Sequence, residues 1–159
     1  MKDQSEDRRG VGPEGLADAL ARPIALNAEL RVHLDDDIED RQAPEGWVHL
    51  CTVREVQLIL VCGNVVELSL DSDLNGDRTY GQGYQVIDFL EEREQAGGRS
   101  LWPRDGITVH TANPSSRDKM RRAIETIPRR HPHLTVREDK DRPASQPHFL
   151  VERVTRPTE

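Results

Sequence analysis

Leu30, Val32 and Leu34 alternate with Arg31 and His33, the period of a half-buried strand that runs into Asp35-Asp36-Asp37. Turn chemistry follows in Gln42-Ala43-Pro44-Glu45-Gly46, and Trp47 to Cys51 reads as a second strand. Thr52-Val53-Arg54-Glu55 has the capping-box pattern, so a helix starts at Val53, buries Val56, Ile59 and Leu60, and stops near Gly63. Val65, Val66, Leu68, Ser69 and Leu70 then form a short apolar run between Gly63-Asn64 and the acidic loop Asp71-Ser72-Asp73-Leu74-Asn75-Gly76-Asp77. This is the pattern of a buried strand that delivers carboxylates at its carboxyl end. Tyr84, Ile87, Leu90 and Glu91 recur at helical spacing up to Gly97-Gly98. Pro103 to Gly106 turns into the strand Ile107 to His110. Asn113 is a good helix cap and Pro114 suits the first helical position, with Met120, Ala123, Ile124 and Ile127 as the buried stripe. The order β-β-α-β-α-β-α asks for a parallel sheet with right-handed crossovers. Beyond Arg129, His133 to Val136 and Phe149 to Val151 each have strand character, and one of them can complete the sheet as an edge.

At 159 residues the chain holds one domain of ordinary size. An apolar fraction of 35% beside 32% charged is low for a compact domain, which places much of the deficit at the ends. We therefore divide it into an N-terminal flexible arm (1–28), an α/β domain (29–130) and a C-terminal extension (131–159). Within the arm, a weakly helical patch from Leu16 to Leu20 is broken at Pro23. No apolar run is long enough to span a bilayer and the first residues lack the apolar core of a secretory signal, so a cytoplasmic protein is expected. Cys51 and Cys62 sit in apolar runs without metal spacing and read as buried, reduced thiols. Residues 1–113 carry 11 Lys/Arg against 22 Asp/Glu, net −11, whereas 114–159 carry 11 against 7, net +4. That balance opposes a broad nucleic-acid surface but leaves small anionic ligands open.

Three strand ends carry the candidate chemistry. In open α/β sheets ligands sit outside the carboxyl ends of the strands. Asp35 and Asp36 end the first strand, Asp71 and Asp73 the third, and His110-Thr111-Ala112-Asn113 the fourth. Carboxylates from two strand ends are hard oxygen ligands suited to Mg²⁺, with Asp35, Asp36 and Asp71 as the set, and such a cation would neutralise phosphate charge. His110 could carry a proton, since imidazole changes charge closest to neutral pH. Asp71 and Asp73 join it as catalytic candidates. Thr111, Asn113 and Ser115 are candidates for holding a phosphate, helped by free N–H groups at Ser115 and Ser116 where the helix opens. Plainer roles suit the rest. His33 and His49 lie within strands and read as structural, and Trp47 as core or rim packing. Asp37, Asp40, Asp77, Arg41, Arg78 and Arg117 read as solvated charges.

Taken in order, Leu34-Asp35-Asp36, Ala43-Pro44-Glu45-Gly46-Trp47, Leu68 to Leu74 and His110-Thr111-Ala112-Asn113-Pro114 resemble the cyclic-phosphate-processing receiver-like family, a divergent relative of response-regulator receiver domains. The resemblance covers about Arg31 to Arg129. It implies a flavodoxin-like, doubly wound, mainly parallel sheet with helices on both faces, and phosphoesterase-like processing of nucleotides or RNA ends that carry cyclic phosphates. In the wider receiver pattern, Asp35 and Asp36 match the acidic pair, Asp71 the phosphoacceptor and Thr111-Ala112 the Thr/Ser-Ala after the fourth strand. Two departures stand out. No lysine matches the one receivers carry after the fifth strand, since Lys140 is followed by Asp141-Arg142-Pro143, and Ser72 stands where the family usually has His. The alternatives are a non-catalytic signalling or protein-interaction module, phosphorylated at Asp71 or docked to a partner protein, and a protein that only sequesters a cyclic nucleotide.

Overall fold

The computed structural model describes residues 28–37, 39, 42–74 and 80–155. The arm with its Leu16–Leu20 patch, and Asp40, Arg41, Asp77 and Arg78, lie outside the described residues. The elements are β1 (Glu29–Leu34), β2 (Val48–Leu50), α1 (Val53–Cys62), β3 (Asn64–Leu70), α2 (Tyr84–Ala96), β4 (Ile107–Val109), α3 (Pro114–Glu125), α4 (Ile127–Arg130), β5 (Leu134–Glu138) and β6 (His148–Arg153). Local chemistry explains the helix starts. Thr52 Oγ1 accepts from Glu55 N–H and donates to Glu55 Oε1, while Asn113 Oδ1 accepts from the Ser115 and Ser116 N–H groups ahead of Pro114.

The sheet has six strands in the order β2-β1-β3-β4-β6-β5. The first four are parallel, as the alternating helix and strand pattern requires. The last two are not: β6 runs antiparallel to β4 and β5 antiparallel to β6. Residues 139–147 are too short for the crossover that a parallel pair needs, but suffice for a hairpin. The sheet is therefore mixed. The C-terminal segment supplies two strands rather than one, with β5 at the edge and β6 inserted beside β4, where Phe149 enters the core.

Right-handed crossovers decide which face the helices cover. The steps β2 to β3, β3 to β4 and β4 to β5 all move the same way along the sheet and place α1, α2 and α3 on one face. Their buried residues join Leu30, Val32, Leu34, Leu68, Leu70, Ile107, Val109 and Phe149 in one core cluster. Only β1 to β2 moves the other way, and its described residues contain no helix. Among the described residues the helices thus gather on one face, unlike the two-faced covering expected. The alternation in β1 is the local trace of this, because a strand buried on both sides reads as a continuous apolar run.

The cysteines need a correction. Both are free, but Cys51 is half-buried and Cys62 is exposed. Val53, Val56, Ile59 and Leu60 face the core, which turns the side of the helix bearing Cys62 to solvent along with Leu58 and Val61.

Candidate functional site

Because β1, β3 and β4 are adjacent and parallel, their carboxyl ends open on one rim. The strand register also aligns side chains on the sheet face opposite α1 to α3. His33 stands beside His49 on β2 and Ser69 on β3, Ser69 beside Thr108 on β4, and Thr108 beside His148 on β6. One row of hydrogen-bonding side chains therefore crosses five strands, with the apolar partners Val32, Leu68 and Ile107 one residue away on the other face.

The middle of that row meets the rim. His110 follows β4 directly, and its N–H donates to Leu70 O at 3.0 Å, which prolongs the ladder and fixes the ring over the sheet. His33 and His110 are stacked, with centroids 4.3 Å apart and planes at 7°. His49 meets His33 edge-on at 5.2 Å. His110 Nε2 lies 3.1 Å from Asp35 Oδ2, and His110 Nδ1 lies 2.7 Å from Ser69 Oγ. His33 Nε2 stands 4.0 Å from the same Asp35 oxygen. The other Asp35 oxygen accepts from the Asp37 N–H at 2.9 Å, and the Asp35 backbone carbonyl accepts from His49 Nε2–H at 2.7 Å. Asp35 is fully buried.

Asp35 also belongs to a second cluster. Ligand atoms of Asp35, Asp36 and Asp71 all lie within 4.8 Å of one another, and those of His33, Asp35 and His110 do likewise. The three-carboxylate group has the donor chemistry of a hard divalent cation such as Mg²⁺, so it fits that ion. Asp71 is 1% exposed and its backbone N–H donates to Leu34 O. A Cβ at Gly83 would strike the Asp71 carbonyl oxygen, so the start of α2 packs directly on this strand end. Nearby carboxylates reach Cys51 as well: burial pushes its thiol up to about 11, helped by Glu55, Asp36 and Asp35.

Beside the acid cluster, His33, Ser69 and His110 floor a cleft of about 320 Å³ whose walls are Gln42, Pro44, Trp47 and Gln146. The β1–β2 connection and the β5–β6 hairpin supply those walls. Trp47 is half-buried there and lines the cavity.

The remaining expected residues lie at the rim, each hydrogen-bonded within the protein. Asp73 is exposed, and Ser116 Oγ donates to both its carboxylate oxygens at 3.1 Å. Thr111 is buried and its hydroxyl oxygen accepts from Asn113 N–H at 3.3 Å. Asn113 Oδ1 occupies the Ser115 and Ser116 N–H groups, which removes the free donors expected at the opening of α3. Arg117 donates to Thr111 O and Ser145 O, tying this loop to the β5–β6 hairpin. Lys140, at 79% side-chain exposure, pairs with Glu138 at 2.6 Å. From the sequence alone His33 reads as structural and Ser69 as part of an apolar run, and neither as a site residue. Their signal was phase: both occupy the polar alternate of a strand whose other alternate is core.

Among the described residues no helix is long and apolar enough to cross a membrane. A model of the cyclic-phosphate processing receiver domain matches residues 30–126, more than half of the chain, and the chain belongs to that family. No curated protein and no solved structure matches it.

Proposed function

Starting from that membership, we propose that the protein opens a cyclic phosphodiester, such as a 2′,3′-cyclic nucleotide or RNA end, in the cleft above His33, Ser69 and His110. The observation that supports this most is the position of Asp35, shared between a three-carboxylate cluster and a pair of stacked imidazoles. A divalent cation held by Asp35, Asp36 and Asp71 would offset the charge of the phosphate. Asp35 orients His110 through Nε2, and His110 carries the proton. His33, stacked on it, allows one ring to accept a proton while the other gives one. Trp47 and Pro44 offer a flat wall to the part of the ligand beyond the phosphate, with Gln42 and Gln146 as amide partners.

Within this reading Asp71 is a cation ligand, and Asp73 anchors the rim to α3 through Ser116. Asn113 caps α3 through the Ser115 and Ser116 N–H groups and Thr111 holds the Asn113 N–H, so these residues position the His110 loop rather than touch phosphate. The signalling alternative draws less support, because Lys140 is engaged on the surface with Glu138. Incubation with Mg²⁺ and 2′,3′-cyclic nucleotides, beside a parallel incubation with acetyl phosphate, separates the two. Ring opening that is lost in Asp71→Asn and His110→Ala bears the proposal out. A phosphoryl mass gain at Asp71 with no ring opening refutes it.

A further inference from the structure

We infer that Ser69 is a nucleophile, activated by His110 and Asp35, and that the cleft works through a covalent Ser69 adduct. The inference deepens the cyclic-phosphate reading and rests on it for the natural substrate, though not for the reactivity of the hydroxyl.

The three groups form a continuous relay. Asp35 Oδ2 lies 3.1 Å from His110 Nε2, which turns that nitrogen to the carboxylate and the other nitrogen to Ser69, the acid–imidazole–hydroxyl order of a nucleophilic triad. Nδ1 lies 2.7 Å from Ser69 Oγ, the reach of a base on the hydroxyl whose proton it takes. The relay ends on a cavity, since Ser69 and His110 are both part of its floor. A control lies in the same row. Thr108 Oγ1 is also 2.7 Å from a histidine, His148, but the far nitrogen of that ring is 2.8 Å from the neutral Asp105 carbonyl and neither side chain lines the cleft. The hydroxyl–imidazole pair is thus used twice, and only the pair backed by a carboxylate faces a space a ligand can enter.

The chemistry balances with water as the one co-reactant. In the first step Ser69 Oγ forms a bond to phosphorus, a ring P–O bond breaks, and the hydroxyl proton passes to His110 Nδ1 and from there to the departing sugar oxygen. The phosphorus stays attached to the sugar through its second ester bond, so the adduct gains the mass of the entire cyclic substrate. In the second step water forms the new P–O bond, its proton goes to Nδ1, and the Oγ–P bond breaks as Oγ regains a proton. Two in-line displacements give net retention at phosphorus, whereas direct attack by water gives inversion.

The test has two arms on the full chain. In the first, a small fluorophosphonate is added to wild type, and intact mass and peptide mapping are read. The inference predicts one adduct, at Ser69 and not at Thr108, absent in Ser69→Ala and slowed in Asp35→Asn; wild type that stays unlabelled at Ser69 while its circular dichroism shows it folded overturns the inference. In the second arm, one diastereomer of a 2′,3′-cyclic phosphorothioate is hydrolysed with Mg²⁺ in ¹⁸O-labelled water, which makes the product chiral at phosphorus. Retention supports the adduct, and inversion overturns it while leaving the proposed function standing. Labelling at Ser69 with no hydrolysis in the second arm overturns the cyclic-phosphate reading and leaves the nucleophile supported.

Discussion

Replacing Asp35 with Asn changes one oxygen for an NH₂ group, and the structure says what that does. One carboxylate oxygen receives the Asp37 N–H at 2.9 Å and the other faces His110 Nε2 at 3.1 Å. An Asn side chain has a single acceptor. If its oxygen keeps the Asp37 N–H, its NH₂ confronts the Nε2–H as donor against donor, and the ring relieves the conflict by moving its proton to Nδ1. Nδ1–H then points at Ser69 Oγ, and the base is lost. The interaction forfeited is a hydrogen bond to a charged group, worth about 1.5–3 kcal/mol. At roughly 1.4 kcal/mol per decade, the base form of His110 falls about 10- to 100-fold. The expected result in Asp35→Asn is a drop of that size in the rate of 2′,3′-cyclic nucleotide opening, with the ¹⁵N shifts of His110 exchanging tautomer. Rates equal to wild type with the Nε2–H tautomer intact would show that Asp35 does not set the His110 proton.

Three further outcomes follow from other parts of the molecule. Mg²⁺ at about 100 times its Kd should stabilise wild type by about 2.7 kcal/mol in thermal unfolding. Asp36→Asn, which removes one of the three carboxylates, should shrink that shift, and an equal shift in both proteins would count against a cation at this cluster. Cys51, with its thiol held up to about 11 mainly by burial, should resist alkylation near neutral pH while exposed Cys62 reacts, both becoming equal on unfolding. Because that pKa is raised in the folded state, the associated stability is present below the ordinary thiol value of 9.0 and is lost as pH rises through about 11. Burial alone would raise Glu94, but hydrogen bonds from Arg153 and His133 outweigh it and hold the carboxyl below its usual range. Its contribution is therefore present near neutrality and is lost as pH falls through the lowered value. Glu94→Gln should cost about 1–3 kcal/mol in urea unfolding at neutral pH, with the gap to wild type closing in acid.

Much of the fold could be read from short-range chemistry. The Thr52 capping box, the Asn113-Pro114 helix start and the alternation of Leu30, Val32 and Leu34 all depend on neighbours along the chain, and all three stand where the pattern placed them. The position of β6 was beyond reach, because its pairing with β4 is settled by Phe149 entering a core built from distant segments. The site divided the same way. Residues at strand ends announce themselves by position, as Asp35, Asp71 and His110 did. Ser69 looks like a small member of an apolar run until the register sets it beside His33 and beneath His110. The two free donors expected at Ser115 and Ser116 depended on Asn113 leaving them uncapped, which is a matter of side-chain geometry.

Phosphorus NMR of a 2′,3′-cyclic mononucleotide incubated with the protein and Mg²⁺ reads whether the cleft opens the ring. The account predicts that the cyclic phosphodiester resonance gives way to a single phosphomonoester with wild type and persists with His110→Ala. A cyclic resonance that stays unchanged with wild type over the same time would contradict it.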